Sequence, residues 1–179
     1  MKKRVIALLL CALVIFSFAA CGGKTESVDE KDVNGVFGDF TSTDVNGEPV
    51  NADIFKGKKV TMVNIWGTFC SPCIREMPDL QKLSEDYAEK GVQLVGIVCD
   101  VNEGEDTAAA KDVMKQTGVK YLNILTSDSL VNAKLGEVMS VPETLFIDEN
   151  GNQIGTSYVG SRSYEDWASI IDHILLETQ

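Results

Sequence analysis

The chain has 179 residues, 44% hydrophobic and 24% charged, which is an ordinary composition for a soluble protein and long enough for one domain with a sizeable core. Lys and Arg number 16 against 27 Asp and Glu, a formal net charge of −11. That acidic balance argues against nucleic acid and anionic lipid headgroups as partners.

The N-terminus departs from this average. Lys2, Lys3 and Arg4 precede an apolar run from Val5 to Ala20, followed by Cys21-Gly22-Gly23. A basic start, a short apolar stretch and small residues before a cut predict a signal peptide over 1–20, and the run is short for a membrane span. Its removal takes three positive charges and no negative ones, so the formal charge moves from −11 to −14. Ala19-Ala20-Cys21 resembles a bacterial lipobox, which implies cleavage before Cys21 and lipid on its sulfur; Phe18 stands where Leu is usual. The alternative is a plain secretory signal with Cys21 as a free thiol. Residues 22–34 are Gly, Lys, Thr, Glu, Ser and Asp with little apolar content, a flexible tether. The expected divisions are a signal peptide (1–20), a lipidated cysteine and tether (21–35) and one folded domain (36–179).

Within that domain, Phe37, Phe40, Val45 and Val50 surround Asn46-Gly47, a hairpin signal. Asp53-Ile54-Phe55 before Gly57 predicts one helical turn. Val60–Trp66 is apolar on both sides and predicts a central strand. Ile74, Met77, Leu80, Leu83 and Tyr87 recur at helical steps, predicting a helix over 71–90 stopped by Gly91 and bent at Pro78. A second buried strand is expected at Val92–Cys99, a polar loop at Asp100–Gly104, and a helix over Asp106–Thr117 stopped by Gly118. Tyr121–Thr126 predicts a third strand, and Ser129–Val138 a helix. Thr144–Ile147 and Gln153–Val159 flank Glu149-Asn150-Gly151 as a hairpin, and Tyr164–Glu177 predicts the last helix. Strands alternating with helices give a three-layer α/β/α fold with a mixed central sheet.

The chemistry concentrates in Trp66-Gly67-Thr68-Phe69-Cys70-Ser71-Pro72-Cys73, where the first core strand turns into a helix. Cys70 falls at the helix N-terminus, where unpaired N–H groups and the positive dipole end stabilise a thiolate. Cys73 is one turn along the same face, so the two sulfurs can close a disulfide without moving the backbone. Cys70 reads as the exposed nucleophile and Cys73 as the shielded, resolving thiol. A C-x-x-C also serves as half a zinc site or a structural disulfide. Zinc needs two more ligands, and Cys99 and the single His173 have no partner at ligand spacing. Cys99 reads as a small buried hydrophobe in an apolar strand, and Cys11 leaves with the signal peptide.

With Glu76, Pro78 and the distal Val141-Pro142 before Thr144–Ile147, these residues resemble the thioredoxin superfamily, and most of all the membrane-tethered TlpA/ResA-type thiol-disulfide oxidoreductases. The resemblance spans roughly residues 36–177. It implies a thioredoxin fold, an N-terminal hairpin and an insert at about 100–120. It also implies that Cys70 and Cys73 pair as the redox disulfide, and that Pro142 is a cis-proline facing them. Val141, Pro142 and Trp66 would form the client-binding face, Val141 offering backbone groups to a bound client and Trp66 packing around the site. Thioredoxins carry a buried Asp where this chain has Asn64, which cannot titrate, so Glu76 is the expected proton acceptor for Cys73. Glu143 replaces a usual Thr and is expected to bring negative charge near the site. Phe69 replaces a usual Trp, and His173 reads as structural.

The implied activity is extracytoplasmic reduction of protein disulfides, with no cofactor or metal. Electrons would come from a membrane thiol transporter, and clients would be apocytochrome c, a methionine sulfoxide reductase or other oxidised proteins. The competing readings are a thiol peroxidase, a dithiol oxidase or isomerase, and a soft-metal-binding lipoprotein whose C-x-x-C holds Cu(I).

Overall fold

The computed structural model describes residues 35–178. The expected signal peptide and all of the expected tether except Gly35 lie outside them. Thr41–Thr43 (β1) and Pro49–Asn51 (β2) pair antiparallel around Asn46-Gly47, where Asp44 Oδ1 accepts from the backbone N–H groups of Asn46 and Glu48. One 3₁₀ turn, Ala52–Phe55, follows.

Five strands form the main sheet. They are Val60–Trp66 (β3), Val92–Asn102 (β4), Leu122–Thr126 (β5), Glu143–Ile147 (β6) and Gln153–Val159 (β7). Their spatial order is β5-β4-β3-β6-β7, with β3, β4 and β5 parallel, β6 pairing antiparallel with β3, and β7 antiparallel with β6. Every residue of β3 is buried, as an apolar strand with a neighbour on each side requires.

Alternation along the strands feeds two cores. Met62, Trp66, Leu94, Val98 and Phe146 face one way, against Ser71–Asp86 (α1), Ala108–Thr117 (α2) and Tyr164–Glu177 (α4). Val63, Ile65, Val95, Ile97 and Leu145 face the other way, against Phe37, Phe40, Phe55 and Leu130 of Asp128–Ala133 (α3). This is the expected three-layer thioredoxin arrangement. The hairpin is tied to the β5 edge by the Asp44–Ile124 bridge and by Ser42 Oγ, which donates to Leu125 O at 2.8 Å.

Several boundaries differ from the sequence reading. The second strand runs to Asn102 instead of ending at Cys99. Beyond a register shift after Val98, Val101 turns inward, Thr126 O accepts from Glu103 N–H, and Glu105 Oε2 accepts from Asn102 N–H. The helix expected from Ser129 to Val138 is only α3, begun by Ser127 as its N-cap, followed by a 3₁₀ turn at Leu135–Glu137. It breaks at Lys134, whose backbone leaves helical values and whose side chain turns to an ion partner described below. The helix expected from Asp106 begins at Ala108, with Asp106 Oδ1 accepting from its N–H group. The helix expected over 71–90 ends at Asp86 with Tyr87 as its C-cap, and Gly91 closes the separate 3₁₀ turn Ala88–Lys90 that follows; Gly118 closes α2, and both glycines have positive φ. Pro78 lies on the exposed side of α1, and the helix continues to Asp86.

Candidate active site

Cys70 and Cys73 form a disulfide where β3 passes into α1. A turn closed by Cys70 N–H donating to Gly67 O at 3.0 Å delivers Cys70 to the helix N-cap, and Pro72 lies in the first turn. Cys70 Sγ accepts from Cys73 N–H at 3.2 Å, so an otherwise unpaired helix N–H points at the sulfur. Cys73 is 0% exposed and Cys70 5%. The order of exposure matches expectation, yet in the disulfide form even Cys70 shows only a sliver of surface.

The turn before Cys70 is held from β4. The Asp100 carboxylate accepts from Thr68 N–H at 3.0 and 3.1 Å and from Thr68 Oγ at 2.6 Å. Across from the turn, the Val141–Pro142 peptide is cis and Val141 O lies 3.6 Å from Cys70 Sγ. Phe69 stands 71% exposed beside the disulfide. A groove of about 490 Å³ runs from Phe69 and Cys99 past Val131 and Leu135 to Met139 and Val141. A second cleft of about 550 Å³, between Asp39, Asp53, Lys56 and the 149–151 turn, shares no residue with it.

Trp66 requires a correction. It is fully buried, and its Nε1–H donates to Asn123 Oδ1 at 2.8 Å. It supports the site from inside the core and has no surface for a client; Phe69 is the aromatic that faces outward. The close fit extends to Gly96, where a Cβ would stand 1.9 Å from that same Asn123 oxygen.

Glu76 is almost wholly buried, not solvated as a helix Glu usually is. Its Oε1 accepts from Asn64 Nδ2 at 3.1 Å, and its Oε2 accepts from Arg162 N–H at 3.1 Å and Trp167 Nε1–H at 3.3 Å. Burial pushes its carboxyl above the ordinary value, and these donors and the Arg162 charge oppose that only in part. Asn64 also donates to Thr144 Oγ at 3.0 Å. It therefore links the carboxylate to β6 from the position where thioredoxins carry a titratable Asp.

Glu143 is a second correction. Its carboxylate is buried and paired with Lys134 Nζ at 3.0 Å, so the expected free negative charge beside the site is neutralised. Cys99, expected as a buried hydrophobe, is only half-buried, and burial, then the Asp100 charge, push its thiol up. His173 is exposed on α4, 3.8 Å from Glu177. Among the described residues no cluster of His, Cys, Asp or Glu is placed to hold a metal ion. Asp100, Arg162, Trp167 and Asn123 were not singled out from the sequence as site residues. Each reaches the site across at least 32 positions of chain, which no local spacing encodes.

A disulfide at a helix N-cap, set against a cis-proline at one end of a β5-β4-β3-β6-β7 sheet, defines a thioredoxin-like thiol-disulfide oxidoreductase. Residues 32–170 match the Redoxin family, and the chain belongs to it as a TlpA/ResA-type protein. It is 31% identical over 150 residues to the thiol-disulfide oxidoreductase ResA of Bacillus thuringiensis subsp. konkukian, covering 84% of this chain and 82% of the relative. It is 30% identical over 154 residues to ResA of Bacillus subtilis, covering 86% and 80%. A thioredoxin-family thiol:disulfide interchange protein from Chlorobium tepidum superposes with a TM-score of 0.65 at 30% identity, over 76% of this chain and 93% of that one.

Proposed function

We propose that this oxidoreductase is a membrane-anchored, extracytoplasmic reductant of protein disulfides working through a mixed disulfide. The observation that carries the reading is the asymmetry of the dithiol. Cys70 Sγ receives the Cys73 N–H at the start of α1 and Cys70 keeps a small exposed surface, while Cys73 has none. In the reduced protein the same N–H and the helix dipole favour a Cys70 thiolate. That thiolate attacks one sulfur of the client disulfide, and the client's other sulfur leaves as a thiolate. Cys73 then gives its proton to Glu76, one turn along, and attacks Cys70 Sγ. The client's second sulfur leaves, and two electrons have passed from the dithiol to the client. Val141 offers its carbonyl to the bound client segment beside Cys70, as an added strand would.

The relatives named ResA support the exchange chemistry. The basic-apolar N-terminus and Ala19-Ala20-Cys21 support export and a lipid anchor. Among the described residues no helix is long and apolar enough to cross a membrane. Clients are oxidised extracytoplasmic proteins, with apocytochrome c or a sulfoxide reductase among the candidates, and the dithiol is recharged by a membrane thiol transporter. Anchoring is tested in cells fed labelled palmitate. Label on the wild-type chain and none on Cys21→Ser is expected, while equal labelling sinks the anchor.

Direction is read from the reduction potential of Cys70–Cys73, in a chain lacking residues 1–21 and equilibrated against glutathione and dithiothreitol. A value near thioredoxin's, about −270 mV or lower, is the expected result. A value near about −120 mV makes the protein a dithiol oxidant and overturns the reductive reading.

A further inference from the structure

Four ion pairs occur among the described residues, and they are not alike. Lys56–Asp53, Lys90–Asp172 and His173–Glu177 all have both side chains more than half exposed. Such pairs contribute little. Lys134–Glu143 is 3.0 Å long with side chains 12% and 7% exposed. Burying two charges costs desolvation that their attraction only roughly offsets, so the pair is a poor device for stability and calls for a positional reason.

The position supplies one. Glu143 is a fixed post: its backbone pairs with Ile65 of β3 on one side and Val159 of β7 on the other. Lys134 lies where α3 stops being helical. Between them runs the segment that ends in the cis-proline. Its backbone carries two 3₁₀ bonds near its start, Glu137 N–H to Lys134 O and Val138 N–H to Leu135 O, both 3.1 Å, and at its end Gly160 N–H donates to Pro142 O at 2.9 Å, with Met139 and Ser140 between them. The segment supplies Leu135, Val138, Met139 and Val141 to the groove beside the disulfide, and Met139 stands 92% exposed at its tip. Val141 O is the atom 3.6 Å from Cys70 Sγ.

We propose that Lys134 and Glu143 act as a clasp that holds this segment as the client-facing wall of the site, making both of them positioning residues for client recognition. The inference rests on the reading that clients dock across Val141. The clasp fixes where the Val141 carbonyl and the apolar side chains stand, so it governs how an extended client segment is received. A small disulfide that reaches only the sulfur has much less need of it.

The test uses Lys134→Met/Glu143→Met, which removes both charges together and strands neither in the core. Lys134→Arg, which keeps the charge, is the control. The probe is a peptide whose Cys-x-x-Cys-His segment is closed by a disulfide, compared with 2-hydroxyethyl disulfide. The double variant is expected to raise KM for the peptide by about tenfold, with a much smaller loss toward the small disulfide. Backbone amides of 135–141 are expected to exchange faster with solvent. Lys134→Arg is expected to stay close to wild type in both respects. A folded double variant with wild-type KM and wild-type exchange overturns the clasp, and so does a Lys134→Arg protein as impaired as the double variant. A wild-type protein that fails to reduce the peptide overturns the client reading instead. In that case the exchange of 135–141 still decides whether the pair holds the segment.

Discussion

Cys73→Ser is expected to end turnover and to leave the protein covalently joined to its client through Cys70. The first half of the reaction needs only the Cys70 thiolate, and Cys70 keeps its place at the N-cap in this variant, with the residue-73 N–H still directed at its sulfur. The second half needs a sulfur at 73 to attack the mixed disulfide, and serine has none. The adduct therefore accumulates and is released only by added thiol. Cys70→Ser should give no adduct, because Cys73 is fully buried and no partner sulfur can reach it. Both variants should lose roughly 10³-fold or more in turnover, the order of loss that follows removal of a catalytic nucleophile. Non-reducing electrophoresis with mass spectrometry of the linked cysteine separates the two. An adduct through Cys73 in Cys70→Ser would reverse the assigned order of attack.

The site's centre was legible because its chemistry is local. A β-branched run, a C-x-x-C and a period of three and four place a dithiol on a strand-to-helix junction with no tertiary information, and β3 and α1 lie where those signals put them. Fold class was legible for the same reason, each strand and helix being marked by its own periodicity and by Gly91, Gly118 or Asn46-Gly47 at its ends. What failed was set by distant partners. A polar run, Asp100 to Gly104, looked like loop, yet β5 continues to pair with its first part and Val101 finds core beneath it. Apolar residues up to Val138 promised a longer helix, but Lys134 is drawn to a carboxylate nine residues on and the helix breaks there. Trp66 was open between core and rim in the sequence because the side chain that takes its N–H, Asn123, is 57 positions away. Charge was the least legible property. Glu76 and Glu143 look alike in sequence as acids near the motif. One is buried against three donors with its carboxyl pushed up, and the other is cancelled by a lysine.

That burial makes Glu76→Gln the second large effect, with opposite signs for stability and for rate. The Glu76 carboxyl is held above its unfolded value of 4.5, so the folded protein keeps this proton over a pH range in which the unfolded chain has released it. Stability therefore falls as pH rises from about 4.5 through the raised folded value, and above that the cost of the buried charge is complete. Glutamine carries no charge. Its oxygen can still accept from Arg162 N–H and Trp167 Nε1–H, and its amide NH₂ finds an acceptor once the Asn64 amide turns over to present Oδ1, which has no partner while Nδ2 faces the carboxylate. Oxidised Glu76→Gln should thus match wild type near pH 4 and exceed it at neutral pH, by about 1.4 kcal/mol for each pH unit by which the folded value is raised. The same change removes the acceptor proposed for the Cys73 proton. Resolution of the mixed disulfide at neutral pH should slow by about 10²-fold, the lower end of what a positioned acid or base contributes. Urea melts at two pH values and rapid-quench measurement of client release supply the two readouts. A variant that is more stable at neutral pH but resolves at the wild-type rate would leave Glu76 a buried structural acid with no part in proton transfer. A variant that is slower with unchanged pH dependence of stability would mean the carboxylate is better solvated than its three donors and its place beneath Trp167 imply.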